Sequence, residues 1–181
     1  AEEATFMLDR ARFDDYRSTG GDMIAMLTGD DLHDLSDRAM GMGAKVVAIK
    51  CGYRGVYLRT AGAGVLARIG RAKPADGWAD REFWHPAFSI DRPPSATGSG
   101  DSAIAGFLAA YLRGLLPEQA LRYANAVGAC NVMAPDALSG IKTWDELNAT
   151  FEGGWDTDPL EVTGAGWRCE APPLWIGPGE R

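Results

Sequence analysis

Thr97-Gly98-Ser99-Gly100-Asp101, running into Ser102-Ala103-Ile104-Ala105-Gly106-Phe107-Leu108, is the stretch of this chain best equipped for chemistry. Two glycines around a serine permit a tight turn. The first N–H groups of the helix that follows then converge on one spot where partial positive charge gathers. Gly98, Ser99 and Gly100 are thus candidates for an anion hole. Asp101 closes it, and a carboxylate beside a bound anion is repelled unless it has a chemical task. The task that fits is taking a proton from an attacking hydroxyl.

A second glycine-bearing turn lies upstream. Lys45 to Lys50 reads as a buried, central strand, Cys51-Gly52-Tyr53-Arg54-Gly55 as a hairpin turn, and Val56 to Arg59 as the returning strand. Gly62-Ala63-Gly64-Val65-Leu66-Ala67 imitates a dinucleotide fingerprint, but a strand-like run ending at Gly70 follows it instead of a helix, so it reads as a plain turn.

The remaining elements must carry these two turns. Residues 1–19 are charged and aperiodic enough to suggest no more than a helix. Asp31 to Met42 repeats Leu32, Leu35, Ala39 and Met40 at helical spacing, with Asp30, Asp31, Asp34 and Asp37 forming a solvated acidic face. Residues 71–81 read as an exposed loop, and Phe83 to Ile90, interrupted by Pro86, as an edge strand or extended segment. The helix after Asp101 runs to Gly114 and is expected to bury Ile104, Phe107 and Leu108. Pro117 opens another that buries Leu121, and Thr143-Trp144-Asp145-Glu146 has the capping-box pattern of a third. Residues 152–181, rich in Gly, Pro and Trp, read as an irregular tail of what is otherwise one domain spanning 1–181.

Ser95-Ala96-Thr97-Gly98-Ser99-Gly100-Asp101, with Ala105-Gly106-Phe107-Leu108 behind it, resembles the second signature of the ribokinase-like (PfkB) carbohydrate kinases, Asp-Thr-x-Gly-Ala-Gly-Asp. The resemblance runs from about Gly20 to Leu147. It implies a three-layer α/β/α core, incomplete here because family members are longer: the chain would be the C-terminal, ATP-binding part, with the sugar-recognising part absent. It also implies ATP-dependent phosphorylation of a hydroxyl on a sugar or sugar acid, with Asp101 as general base and Gly98, Ser99 and Gly100 as phosphate cradle. Lys50, Gly52 and Gly55 correspond to the family's nucleotide-facing loop after a parallel strand, and Asn125 to a residue bordering the adenine.

Two departures touch the metals. Ser95 and Thr97 occupy positions that line a monovalent-cation site in some members, but Ser95 replaces the usual Asp and removes its charge, which argues against K⁺ activation. The family's Asn-x-x-Glu motif, which helps organise Mg²⁺, has no counterpart, and Asp22 in Gly20-Gly21-Asp22-Met23 is displaced from it by one residue. Two alternatives stay open: a nucleoside or other small-molecule kinase of the same fold, and a non-catalytic nucleotide-binding relative.

Composition sets the remaining bounds. A net charge of −7 opposes binding to nucleic acid or an anionic membrane, so any nucleotide needs a local site. No Walker-type Gly-x-x-x-x-Gly-Lys-Ser/Thr segment is present. No apolar run approaches the ~18 residues of a membrane span, and a cytoplasmic setting is expected. Cys51, Cys130 and Cys169 lack paired spacing and read as free thiols, while His33 and His85 are too far apart for a zinc site. The oligomeric state is open, a homodimer included.

Overall fold

The computed structural model describes residues 1–91 and 96–180. Among these, five strands form one sheet: β1 (Val46–Lys50), β2 (Val56–Thr60), β3 (Glu82–His85), β4 (Arg168–Ala171) and β5 (Leu174–Ile176), in the order β1-β2-β3-β5-β4. Every described pairing is antiparallel, with Lys50 opposite Val56 and Val56 opposite His85. The helices are α1 (Glu2–Leu8), α2 (Arg10–Ser18), α3 (Met23–Met26), α4 (Gly29–Gly41), α5 (Ala63–Leu66), α6 (Ser99–Leu112), α7 (Pro117–Val132) and α8 (Trp144–Glu152).

Strand alternation builds the layers. Val56, Leu58 and Phe83 face a core shared with Phe107 of α6 and Leu121, Ala124 and Val127 of α7. Tyr57 and Trp84, their neighbours in sequence, point the other way onto Leu32 and Leu35 of α4. The result is helix, sheet, helix, as expected for an incomplete α/β ribokinase-like core. Pro117 stands at the first position of α7, and Thr143 caps α8 through the reciprocal bonds of a capping box.

Several expectations are corrected. β1 is an outer strand of the described sheet, with Ala48 exposed, although its apolar run reads as central. Its hairpin with β2 is as read, but no parallel neighbour lies among the described residues. β3 is interior, flanked by β2 and β5, and stops at His85 because Pro86 has no N–H for the ladder. Residues 63–66 form one helical turn and 67–72 a 3-10 segment in place of a strand-like run. The loop at 71–81 is pinned by Trp78, which is buried edge-on against Tyr111 and donates its indole N–H to the Leu115 carbonyl at 2.9 Å.

On α6, Phe107 is buried but Ile104 and Leu108 are 46% and 49% exposed. The helix turns its small residues Ala103, Gly106 and Ala110 inward. A Cβ on Gly106 would lie 2.8 Å from the Tyr123 carbonyl oxygen, so α6 and α7 approach almost backbone to backbone. The acidic face of α4 is bonded as well as solvated: Asp34 pairs with Arg12 at 3.0 Å and Asp37 with Arg59 at 2.7 Å. The expectation of an irregular tail fails over residues 168–176, where β4 and β5 extend the sheet and Trp175 pairs with Trp84.

Candidate functional site

The two glycine turns come together over the end of the sheet. Gly52 and Gly55 adopt φ of 54° and 89°, and a Cβ on Gly55 would sit 2.1 Å from the His85 carbonyl oxygen, so the hairpin turn can close on the end of β3 only with glycine there. Gly98, with φ of 80°, is the N-cap of α6; Ser99, Gly100 and Asp101 form its first turn, and no side chain caps it. The turn thus stands at the helix N-terminus, as the anion-hole reading requires.

Lys50 ends β1 and reaches across to this helix end. A Cβ built on Gly100 would lie 2.8 Å from its Nζ, and no carboxylate pairs with that ammonium among the described residues. A cation at the positive end of a helix is electrostatically unfavourable on its own, and an anion between them relieves both.

A cavity of about 440 Å³ lies between the turns, lined by Lys50, Gly52, Gly55, Ser99, Gly100 and Asn125 among others. Six of the residues singled out from sequence therefore share one concavity. Asn125, buried in α7, donates its side-chain N–H to the His85 carbonyl at 3.1 Å. The His85 Nδ1 lies 2.8 Å from the Pro86 carbonyl oxygen. A carbonyl only accepts, so we assign the imidazole proton to Nδ1. Burial, reinforced by the charge of Arg122, holds His85 down at about 4, so the ring is neutral near pH 7. Asn125 thereby fastens α7 to the end of β3 and holds the cavity wall.

Other expected residues stand apart from the lining. Asp101 is exposed in the first turn of α6, and its carboxylate makes no hydrogen bond or ion pair among the described residues. Asp22 caps α3, one oxygen accepting from the Ile24 N–H at 2.9 Å and the other from the Tyr53 hydroxyl at 2.5 Å; the Tyr53 bond holds its carboxyl below the ordinary range. Thr97 is exposed in the turn before α6, and Ser95 lies outside the described residues. No group of three or more His, Cys, Asp or Glu that could hold a metal occurs among the described residues.

Sequence reasoning missed Tyr53, Phe88, Ile90 and Asp158 in the lining. Phe88 and Ile90 carried only a generic apolar signal. Asp158 carried none, because it reaches the cavity through an isolated bridge between Phe88 and Thr157.

Residues 19–144 match the model of the pfkB family of carbohydrate kinases. The chain belongs to that family. A 2-dehydro-3-deoxygluconokinase from Bacillus subtilis is 28% identical to this pfkB chain over 123 residues, covering 67% of it and 32% of the relative. Among solved structures, a ribokinase from Arabidopsis thaliana complexed with ribose and ATP superimposes with a TM-score of 0.55 at 20% identity, covering 67% of this chain and 34% of that one. A ribokinase from Thermotoga maritima does so with a TM-score of 0.51 at 23% identity, covering 65% and 33%. At these identities the structural likeness establishes the ribokinase-like fold. The pfkB chain spans about a third of the length of the curated relative.

Proposed function

We propose that the cavity binds the phosphates of ATP and that the chain serves ATP-dependent phosphorylation of a hydroxyl on a sugar or sugar acid. The observation that carries this reading is the approach of Lys50 Nζ to Gly100 at the N-terminus of α6, inside a cavity that also takes in the Gly52–Gly55 turn. A nearby cation, a helix end without a side-chain cap and a glycine turn are complementary to a polyphosphate. With no side chain at residue 100, the Lys50 ammonium can come close to the backbone of the helix end.

When bound, ATP supplies the phosphoryl group, and Mg²⁺ carried on its phosphates offsets their charge. The chain's own residues do the rest. Lys50 and the positive end of α6, where the Ser99 N–H is already given to the Ala96 carbonyl at 3.3 Å, stabilise negative charge as it shifts, while Asp101, accessible and one helical position beyond Gly100, takes the proton from the acceptor hydroxyl. Asp22, with one oxygen capping α3 and the other accepting from the Tyr53 hydroxyl, is not assigned a metal. The sugar-acid class draws support from the Bacillus subtilis relative. A cytoplasmic setting is consistent with three free cysteines and with the finding that no described helix is long and apolar enough to cross a membrane.

Phosphoryl transfer by the complete gene product to a panel of sugars and 2-dehydro-3-deoxy sugar acids tests the proposal. Asp101→Asn should lower kcat by about 10²–10⁴-fold and leave ATP affinity unchanged or slightly tighter, since a like charge is removed. Undiminished turnover in the variant removes Asp101 as the base.

A further inference from the structure

We infer that Asp158, from the segment beyond the family-matched residues, recognises a ribose hydroxyl of the nucleotide and so gives this cavity a selectivity of its own. The inference rests on the nucleotide reading above and deepens it.

Asp158 and Lys50 are the only Asp, Glu, Lys or Arg residues in the described lining of the cavity. The two charges divide it. Phosphates are drawn to Lys50 and the end of α6, and the same charge is repelled by Asp158, so a nucleotide must turn its uncharged part toward the carboxylate. The flat base suits the apolar lining at Phe88, Ile90 and Val132, which offers carbon faces. That leaves the ribose, whose hydroxyls are donors, for an acceptor-only carboxylate; an O–H donating to a carboxylate is among the stronger hydrogen bonds.

The carboxylate is also held in place. Its Oδ1 accepts from the Ser89 hydroxyl at 2.7 Å, and the Asp158 N–H donates to the Ala87 carbonyl at 2.9 Å. Oδ2 has no hydrogen-bond partner among the described residues. Behind it, Trp155 stacks on Phe88 with ring centroids 4.5 Å apart and donates its indole N–H to the Ser89 carbonyl at 3.1 Å. Residues 155–158 are thus fastened along the Phe88–Ser89 segment. One oxygen of Asp158 is spent on that fastening and the other is available to a ligand.

The test is a set of dissociation constants, measured by titration calorimetry on the 181-residue chain, for ATP, 2′-deoxy-ATP, 3′-deoxy-ATP and inosine triphosphate. The chain should bind at least one deoxy analogue about ten- to hundredfold more weakly than ATP, and inosine triphosphate about as well as ATP. Asp158→Ala should bind ATP and the deoxy analogues alike. Asp158→Asn, which keeps an acceptor for Ser89, should retain the wild-type melting temperature with a reduced ribose penalty, a change that a purely structural role would not produce. Equal binding of both deoxy analogues by the wild-type chain, a penalty seen with inosine triphosphate alone, or a ribose penalty that survives in Asp158→Ala would each overturn the inference. The wild-type comparison decides even if the alanine variant does not fold. ATP binding that ignores the ribose sinks this inference alone, whereas no ATP binding at all sinks the nucleotide reading with it.

Discussion

Lys50 sits where a free cation should not. The end of α6 carries the helix's partial positive charge, and the nearest well-ordered way to stabilise both is an anion bridging them. The turn at Gly98 and the helix start at Ser99 were legible in sequence because both are local arrangements of backbone, set by glycine and by the apolar spacing that follows. Asn125 was legible as a lining residue, but its bond to the His85 carbonyl was not, since it joins positions forty residues apart. His85 itself carries a pH signature. Burial keeps the folded imidazole at about 4 against an ordinary 6.5, so the unfolded chain binds the extra proton between those values. Stability from this group is therefore present above pH 6.5 and is lost as pH falls toward 4, by an amount on the order of 3 kcal/mol. Urea unfolding from pH 7.5 to 4.5 should show a shallower acid loss in His85→Gln than in the wild type; parallel profiles would mean that His85 does not titrate in this way.

Among the elements, α6 and α7 set the geometry of the helix end, because their close approach at Gly106 fixes how far the N-terminus of α6 stands from the sheet. Gly106→Ala places a methyl 2.8 Å from the Tyr123 carbonyl oxygen and the same distance from a Val127 methyl. Overpacking of this kind costs about 1–3 kcal/mol, and the roughly 1 kcal/mol that alanine gains over glycine inside a helix offsets only part of it. Chemical denaturation should find the variant less stable; equal or greater stability would mean that the helices part freely. Hydrophobic spacing located α6 but misjudged its inner face. Counting large apolar residues favoured Ile104 and Leu108, whereas the tight contact selects Ala103, Gly106 and Ala110. The β4–β5 hairpin escaped notice because strands of four and three residues in a Gly- and Pro-rich tail have too few alternations to register. Only their pairing with β3 gives them a role.

At the scale of the whole molecule, a net charge of −7 would repel a nucleotide, so binding must depend on local positive potential. The helix, sheet, helix layering places β1 and α6 so that their ends meet at one cavity, and Lys50 is the one Lys or Arg in its described lining. The family was legible because its signature lies in one short segment. The strand order was not, since it depends on pairings between distant parts of the chain. The most direct measurement is calorimetric titration of MgATP into the chain and into its Lys50→Met variant, with melting temperatures recorded for both. Binding to the wild type, weakened tenfold or more in Lys50→Met at an unchanged melting temperature, is the predicted result. Equal ATP affinity in the two proteins, or no binding by the wild type, would contradict the placement of the phosphates between Lys50 and the N-terminus of α6.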